Sequence, residues 1–269
     1  MIRTGAMHTR KAGFLSIRLP PGRFIKYNSA GGYTTLILDR QRRMQRSSRH
    51  FIYHLTRFFA LPFFRILFSM LTRYRVTGQD NVPPDGPLLI VANHISSADQ
   101  YLMYFTIKRK MMFMAKEELF RSPLIRILAR CFGAFPVYRR GINRKALNEA
   151  YRALDNGFAL AMFPEGARSK TAQLRPAMPG SALIALDKDL PILPVGIAGV
   201  EAREKGILWS VFNRPRIAVN IGRPFTLPAT SQTPTKQELA ELSDLIMEHI
   251  ARLLPPEYRG YYAAKTKSH

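Results

Sequence analysis

The residues Leu88-Leu89-Ile90-Val91-Ala92-Asn93-His94-Ile95-Ser96-Ser97-Ala98-Asp99-Gln100-Tyr101 set the pattern that the rest of the chain follows. The apolar run Leu88 to Ala92 after Pro87 is short and continuous, as expected for a strand buried on both faces. A strand with no polar side belongs inside a sheet covered by helices. It should end near Asn93. Ser96 with Asp99, or Ser97 with Gln100, has capping-box spacing ahead of Tyr101-Leu102-Met103-Tyr104-Phe105, so a helix is expected to begin there. His94 then lies in the turn beyond the strand's carboxyl end. Asp99 lies in the first helical turn, where the helix dipole favours a negative charge. In open α/β sheets that edge is the usual ligand site. Taken alone, the Ser/Asp cluster also fits a plain helix cap.

Outward from this unit the chain alternates strands and helices. Strands are predicted over 110–115, 134–138, 158–163, 192–197 and 217–221, and helices over 124–132, 144–156 and 181–187. Thr235-Lys236-Gln237-Glu238 is a further capping box, opening a helix whose apolar residues Leu239, Leu242, Ile246, Ile250 and Leu253 step by three and four until Pro255 stops it. The fold class that follows is α/β: a mixed, largely parallel β-sheet flanked by helices.

Ahead of this domain, Phe51 to Leu71 is the most apolar stretch of the chain. Its length would suit a membrane span. Arg57 and Arg65 lie inside it, at about 2.5–3.5 kcal/mol each near a bilayer centre, and Pro62 divides it. Two short aromatic-rich helices lying in the headgroup region fit better, with Arg49, Arg73 and Arg75 reaching lipid phosphate; an ordinary pair of core helices is the alternative. The expected organisation is a basic extension without regular structure over 1–49, a two-helix membrane-contacting segment over 50–75, the α/β domain over 76–257 and a tail over 258–269. The Arg-rich, acid-poor start lacks the apolar core of a secretory signal. It fits an organelle transit peptide, or sequence upstream of a start at Met44, and both readings stay open.

The formal net charge is +23. Residues 1–50 hold 11 Lys and Arg against Asp39 alone, and the remainder still carries 30 basic against 17 acidic residues. Such a chain should meet a polyanion: nucleic acid, an anionic membrane or a phosphorylated substrate. No zinc-finger spacing or basic-aromatic recognition motif favours nucleic acid. A single cysteine, Cys131, allows no intramolecular disulfide and fits a reducing compartment. No G-x-S-x-G elbow and no H-E-x-x-H pattern is present, which argues against common hydrolase designs. A metal ion shared by His94, Asp99 and Glu165 is a remote alternative, and no cofactor is expected.

Two more blocks carry chemistry. Phe163-Pro164-Glu165-Gly166-Ala167-Arg168-Ser169-Lys170 follows a buried strand. Pro164 and Gly166 interrupt pairing, while Arg168 and Lys170 are donors suited to phosphate. Gly133-Ala134-Phe135-Pro136-Val137-Tyr138-Arg139-Arg140 sends arginines from the end of another strand. Each block alone also reads as a solvated basic turn.

The order of the blocks, Asn93-His94-x-Ser96-x-x-Asp99, Gly133-x-Phe135-x-x-x-Arg139, Phe163-Pro164-Glu165-Gly166-x-Arg168-Ser169 and Pro191-Ile192-Leu193-Pro194-Val195, resembles the four motifs of the glycerolipid acyltransferases, over about residues 50 to 225. The 1-acyl-sn-glycerol-3-phosphate (lysophosphatidate) acyltransferases are the most similar group in the family. The resemblance implies acyl transfer from acyl-CoA or acyl-carrier protein to a lysophospholipid acceptor, on the cytoplasmic face of an anionic inner membrane, by a peripheral or monotopic protein with no nucleic-acid partner. Another lysophospholipid or a glycolipid is the alternative acceptor. His94, oriented by Asp99, becomes the catalytic base. Arg139, Glu165, Gly166 and Arg168 become the acceptor-binding set, with Lys116 a further phosphate candidate. Backbone amides at the helix start after His94 are the expected oxyanion donors. Three departures stand out: Ile95 replaces a frequent Gln, Ala167 a frequent Thr, and Tyr138 an acidic residue, the last bearing on how the acceptor headgroup is held.

Overall fold

The computed structural model describes residues 14–19, 23–28, 61–123, 126, 129, 133–137, 144–201, 212–229 and 234–266. By their contacts the residues divide into two units, Met1–Leu55 and Thr56–His269. In the first, β1 (Phe14–Leu19) and β2 (Arg23–Asn28) pair as an antiparallel hairpin, with Leu15 opposite Tyr27 and Ile17 opposite Ile25. This corrects the expectation that residues 1–49 lack regular structure. Apolar residues at 15, 17 and 19, and again at 25 and 27, carry the two-residue period of a strand. The intervening Pro20-Pro21-Gly22 is a turn signal between strands, which the surrounding basic composition obscured.

In the second unit α1 (Leu61–Leu71) leads into β3 (Arg73–Thr77). β4 (Leu89–Ala92), α2 (Asp99–Thr106), β5 (Met111–Lys116), β6 (Ala134–Val137), α3 (Arg144–Asp155) and β7 (Ala159–Met162) follow. α4 (Gly180–Asp187), β8 (Ile192–Ala198), β9 (Arg216–Ile221) and α5 (Lys236–Arg252) complete the set. Seven strands form one sheet in the order β3-β9-β8-β4-β7-β5-β6. The five from β8 to β6 run parallel, while β9 pairs antiparallel with β8 and parallel with β3. The expected mixed, largely parallel α/β sheet is thus the observed one. β4, β7 and β8 are buried at every residue, as their unbroken apolar runs require, whereas β9 alternates because one of its faces stays partly open. Leu89 and Val91 share a core with Ala182 and Ala185 of α4 and with Ile246, Met247 and Ile250 of α5.

The chain builds outward from β4 to β5 and β6, returns to insert β7 beside β4, and then crosses to β8 on the other side. Ligands in such sheets collect beyond the carboxyl ends of the strands where the direction of build-up reverses. Here that place lies past β4 and β7.

Several boundaries differ from the sequence expectations. Residues 73–75, assigned to the membrane-contacting segment, belong to β3, because Arg73 and Arg75 keep an alternating edge strand polar on its open side. The tail expected after 257 packs instead on the domain. The Tyr262 ring is fully buried, and its hydroxyl donates to Asp244 Oδ1 at 2.6 Å while accepting the Ala177 N–H at 3.1 Å. Of the predicted helix pair over 51–71, α1 is the second member, with Pro62 in its first turn where a missing N–H is harmless; residues 51–60 lie outside the described residues. Most of the predicted 124–132 helix also lies outside them. Among the described residues, no helix is long and apolar enough to cross a membrane.

Candidate active site

Immediately past β4, the chain is fixed by Asn93. Its fully buried side-chain amide donates to the Ile197 carbonyl and accepts the Ile197 N–H, both at 2.7 Å. A side chain thus continues the pairing to β8 after the backbone has turned away. Losing it would leave two buried groups of Ile197 unpaired, at about 1–3 kcal/mol each. Sequence analysis placed Asn93 in its motif but gave it no role.

His94 comes next, and Asp99 opens α2. Asp99 is fully buried, while the His94 side chain is 17% exposed. Asp99 Oδ2 accepts the N–H groups of Ile95 and Ser96, at 2.8 and 2.9 Å, and lies 2.8 Å from His94 Nδ1. The two backbone amides on Oδ2 favour a carboxylate there, and with Asp99 ionised Nδ1 supplies the proton of the third contact. The lone pair of the ring is then on Nε2. Burial holds the Asp99 carboxyl above its ordinary value, an effect only partly offset by the His94 ring and the amides of Ser96 and Ile95.

The helix start differs from the capping-box expectation. Ala98 is the N-cap, with no side-chain cap bond, and the Ser97–Gln100 pair is not used. Asp99 instead reaches back across the turn, because its carboxylate also serves His94. The expected oxyanion donors are altered by the same contacts. Ile95 and Ser96 give their N–H groups to Asp99, Ala98 gives its own to Ser96 Oγ, and Asp99 bonds the Ser96 carbonyl. These four amides are engaged within the turn and unavailable to a reacting oxygen.

The loop after β7 closes the other side. The Phe163 ring stacks on His94 with centroids 4.1 Å apart and planes 14° from parallel. Gly166 sits at φ 69°, where an L side chain is strained, and its N–H closes a turn on the Phe163 carbonyl at 3.0 Å. The Ser169 N–H bonds the His94 carbonyl at 2.7 Å, which brings exposed Arg168 to within one residue of the histidine's own backbone. Glu165 is buried, with Oε1 accepting the His94 N–H at 2.8 Å and Oε2 the Arg175 N–H at 3.2 Å. It braces the two loops against each other. Arg175, which sequence analysis did not single out, also places its guanidinium 3.4 Å from the Ala167 carbonyl. No local pattern marks this residue, because the contact arises only when the 171–178 segment folds back.

Burial pushes the Glu165 carboxyl up from 4.5 to about 7, against the pull of the His94 and Arg175 amides. A raised folded-state value means the folded protein holds a proton that the unfolded chain has released. Stability from this group is therefore greatest below about 4.5 and declines as pH rises to about 7. The shift corresponds to at most ~3 kcal/mol. Glu165→Gln is expected to flatten that part of the stability–pH curve, measured by denaturant unfolding; an unchanged slope would remove Glu165 as its source.

Lys116 is the last residue of β5, opposite Val137 at the end of β6, at the same carboxyl edge. The Lys116 side chain and the whole of Arg139 lie outside the described residues. Among the described residues, no three His, Cys, Asp or Glu side chains gather as a metal-binding group, so the shared-ion alternative for His94, Asp99 and Glu165 has no geometry behind it.

Comparison with known proteins bears on the same strands. Residues 73–198 match the family model described as Acyltransferase. Over 122 residues the chain is 33% identical to the 1-acyl-sn-glycerol-3-phosphate acyltransferase of Borreliella burgdorferi, an alignment that spans 45% of this chain and about half, 49%, of that protein. It is 24% identical over 190 residues to the Bacillus subtilis protein of the same name, spanning 70% of this chain and 92% of the relative. The crystal structure of the 1-acyl-sn-glycerophosphate (LPA) acyltransferase from Thermotoga maritima aligns with a TM-score of 0.59 and 25% identity, over 84% of this chain and 83% of that one. The family match begins with β3 and ends with β8, so the strands that position His94, Asp99 and Glu165 are the matched ones, and over residues 73–198 the chain is similar to the acyltransferase family.

Proposed function

We propose that the protein transfers a fatty acyl group from an acyl-CoA or acyl-carrier-protein thioester to the sn-2 hydroxyl of lysophosphatidate, forming phosphatidate. The observation that carries this reading is the 2.8 Å contact of His94 Nδ1 with buried Asp99 Oδ2: with Asp99 ionised, Nδ1 donates and Nε2 is left as a base at the sheet edge. In the proposed step, Nε2 accepts the acceptor hydroxyl's proton as its oxygen bonds to the thioester carbonyl carbon. Buried Asp99 offsets the charge of the imidazolium. Collapse of the tetrahedral intermediate breaks the carbon–sulfur bond, and the departing thiolate takes the proton from Nε2. No acyl-enzyme is needed. The acceptor assignment rests on the names of the Borreliella and Bacillus relatives together with a cationic loop at Arg168.

In this reading Arg168 and Arg139 hold the acceptor phosphate, and Lys116 is a further phosphate candidate. Gly166 supplies the turn, and Glu165 keeps that turn against His94. α1 rests in the membrane interface, exposing Ile66 and Met70. Arg168→Ala is expected to raise the acceptor KM about tenfold or more, the worth of a charge-assisted bond to phosphate. A rise confined to the thioester donor's KM would contradict the assignment.

The test of the whole reading is a panel assay of the full chain, pairing several lysolipid acceptors with acyl-CoA and with acyl-carrier protein. Transfer to lysophosphatidate should dominate and should vanish in His94→Ala. Preferred acylation of another lysolipid would replace the acceptor, and transfer that survives the substitution would remove the base.

A further inference from the structure

β3 and β9 pair in parallel, with Arg73 opposite Arg216, Arg75 opposite Ala218 and Thr77 opposite Asn220. The Thr77 hydroxyl donates to Asn220 Oδ1 at 2.8 Å, which shows that this row shares one face of the sheet. Tyr74, Val76, Ile217 and Val219 take the other. Arg73, Arg75 and Arg216 therefore project together, all three exposed. Among the described residues none of them has an ion-pair partner. Like charges set directly opposite each other on neighbouring strands destabilise a sheet, so this arrangement costs the fold something and calls for a compensating charge.

Arg73, Arg75 and Arg216 are among the residues lining an open groove of about 520 Å³. Its floor is shallow because Ala198 and Ala218 lie in register across β8 and β9. Its far wall is Pro255, Glu257 and Tyr258. That wall is held in place by the Tyr258 hydroxyl, which donates to Glu201 Oε1 at 2.7 Å and accepts the Gly199 N–H at 3.1 Å. Glu257 is the one acidic residue in the lining, against three arginines. The preference is thus for an anion, and guanidinium forks match the oxygens of phosphate.

The groove opens at the sheet edge where β8 ends and β3 and β9 begin. It is the same edge as His94, but β9 and β3 lie two and three strands from β4, roughly 10 and 14 Å away. α1 packs on the opposite face of β3, through Tyr74, and its C-terminal end leads through Thr72 to Arg73 at the edge where the groove opens. Arg65 Nε donates to the Tyr74 hydroxyl at 3.3 Å, Arg214 to the Ser69 carbonyl at 3.0 Å, and the Phe68 and Tyr74 rings meet edge to face at 5.8 Å. Ile66 and Met70 of α1 are 62% and 66% exposed, and Phe212, four residues before Arg216, is 83% exposed. Apolar side chains that could enter a bilayer and a basic groove thus flank the same sheet edge on its two faces.

We propose that the Arg73–Arg75–Arg216 groove binds the phosphate of an anionic membrane phospholipid, at a site separate from the acceptor phosphate near Arg168. The groove holds the catalytic edge against the membrane while α1 enters the interface. The proposal rests on the membrane-surface reading of the enzyme but not on the assigned reaction, because the readout below is binding.

The experiment is flotation of the full chain with phosphatidylcholine vesicles, with and without phosphatidylglycerol. A triple variant, Arg73→Gln, Arg75→Gln and Arg216→Gln, is compared with a control of equal charge loss at Lys188, Lys236 and Arg252, all replaced by Gln. The groove variant should lose anionic-vesicle binding on the order of a hundredfold, about fivefold or more for each arginine, and the control far less. Circular dichroism of both variants checks that they fold, and a second groove variant with all three arginines replaced by Lys should recover only part of the binding. Equal loss in the control, or full binding by the groove variant, would overturn the proposal in favour of diffuse charge attraction. Titration with glycerol 3-phosphate separates the sources of the phosphate: groove-dependent binding of this soluble probe, with no vesicle effect, would assign the site to a free phosphate ester and overturn the lipid assignment.

Discussion

Replacing His94 by alanine is expected to lower acyl transfer by on the order of 10³–10⁴-fold, with the fold intact. The two halves of that expectation come from different contacts. In the proposed step the base is the ring's Nε2, and the neighbouring candidate Glu165 could not replace it, being buried with both oxygens accepting backbone amides. The fold survives because the contacts that shape the turn are made by the backbone of His94, whose N–H meets Glu165 and whose carbonyl meets Ser169. Asp99 also stays satisfied, since Oδ2 keeps the amides of Ile95 and Ser96. Loss of the ring's stacking on Phe163 should cost about 1–2 kcal/mol. Single-turnover kinetics and thermal unfolding measure the two halves, and a variant within tenfold of the parent rate would exclude His94 as the base.

Asp99→Asn is the second large effect, and it should move both rate and stability. The two backbone N–H groups aimed at Oδ2 require an oxygen there, so the new amide nitrogen must occupy the Oδ1 position. That atom is buried and has no hydrogen-bond partner. Two N–H donors placed there without an acceptor are expected to cost about 1–3 kcal/mol. His94 can still donate through Nδ1, so the tautomer is kept, but the imidazolium formed during reaction loses its buried counter-charge. The expected result is a fall in kcat of about 10²-fold or more, with the acceptor KM little changed. An unchanged kcat with lowered stability would make Asp99 only a brace for the turn. An Asp99→Ala variant would not separate these roles, because it removes the acceptor from both amides together with the charge.

Much of the fold was legible in local patterns. Leu88 to Ala92, Phe158 to Phe163 and Ile192 to Ile197 read as buried strands because each is a short apolar run, and they became β4, β7 and β8 at the centre of the sheet. Thr235 and Glu238 announced α5 through a box in which each side chain meets the other's backbone, and the structure contains both bonds. The hairpin over 14–28 was overlooked because basic residues and a Pro-Pro-Gly segment outweighed a weak two-residue period. The packing of Tyr262 was overlooked because its partners, Asp244 and Ala177, are 18 and 85 residues away.

The candidate site divides along the same line. The spacing of His94 and Asp99 made them a candidate pair, with the roles of base and orienting carboxylate implied by the family resemblance, and five positions across a strand-to-helix turn do bring the two side chains to 2.8 Å. Spacing could not show that Asp99 would take the amides of Ile95 and Ser96, the very helix-start donors first assigned to an oxyanion. Nor could it show Glu165 as a brace under His94, or Asn93 and Phe163 holding the turn from β8 and from the β7 loop.

The sequence by itself determined the buried strands, the capping box of α5 and the chemistry available at each turn, because these depend on neighbours a few residues away. The tertiary structure alone decided which donor meets which acceptor, and that Arg73, Arg75 and Arg216 line one groove. Those outcomes depend on strand order and register, which bring together groups that lie tens to more than a hundred residues apart in the chain.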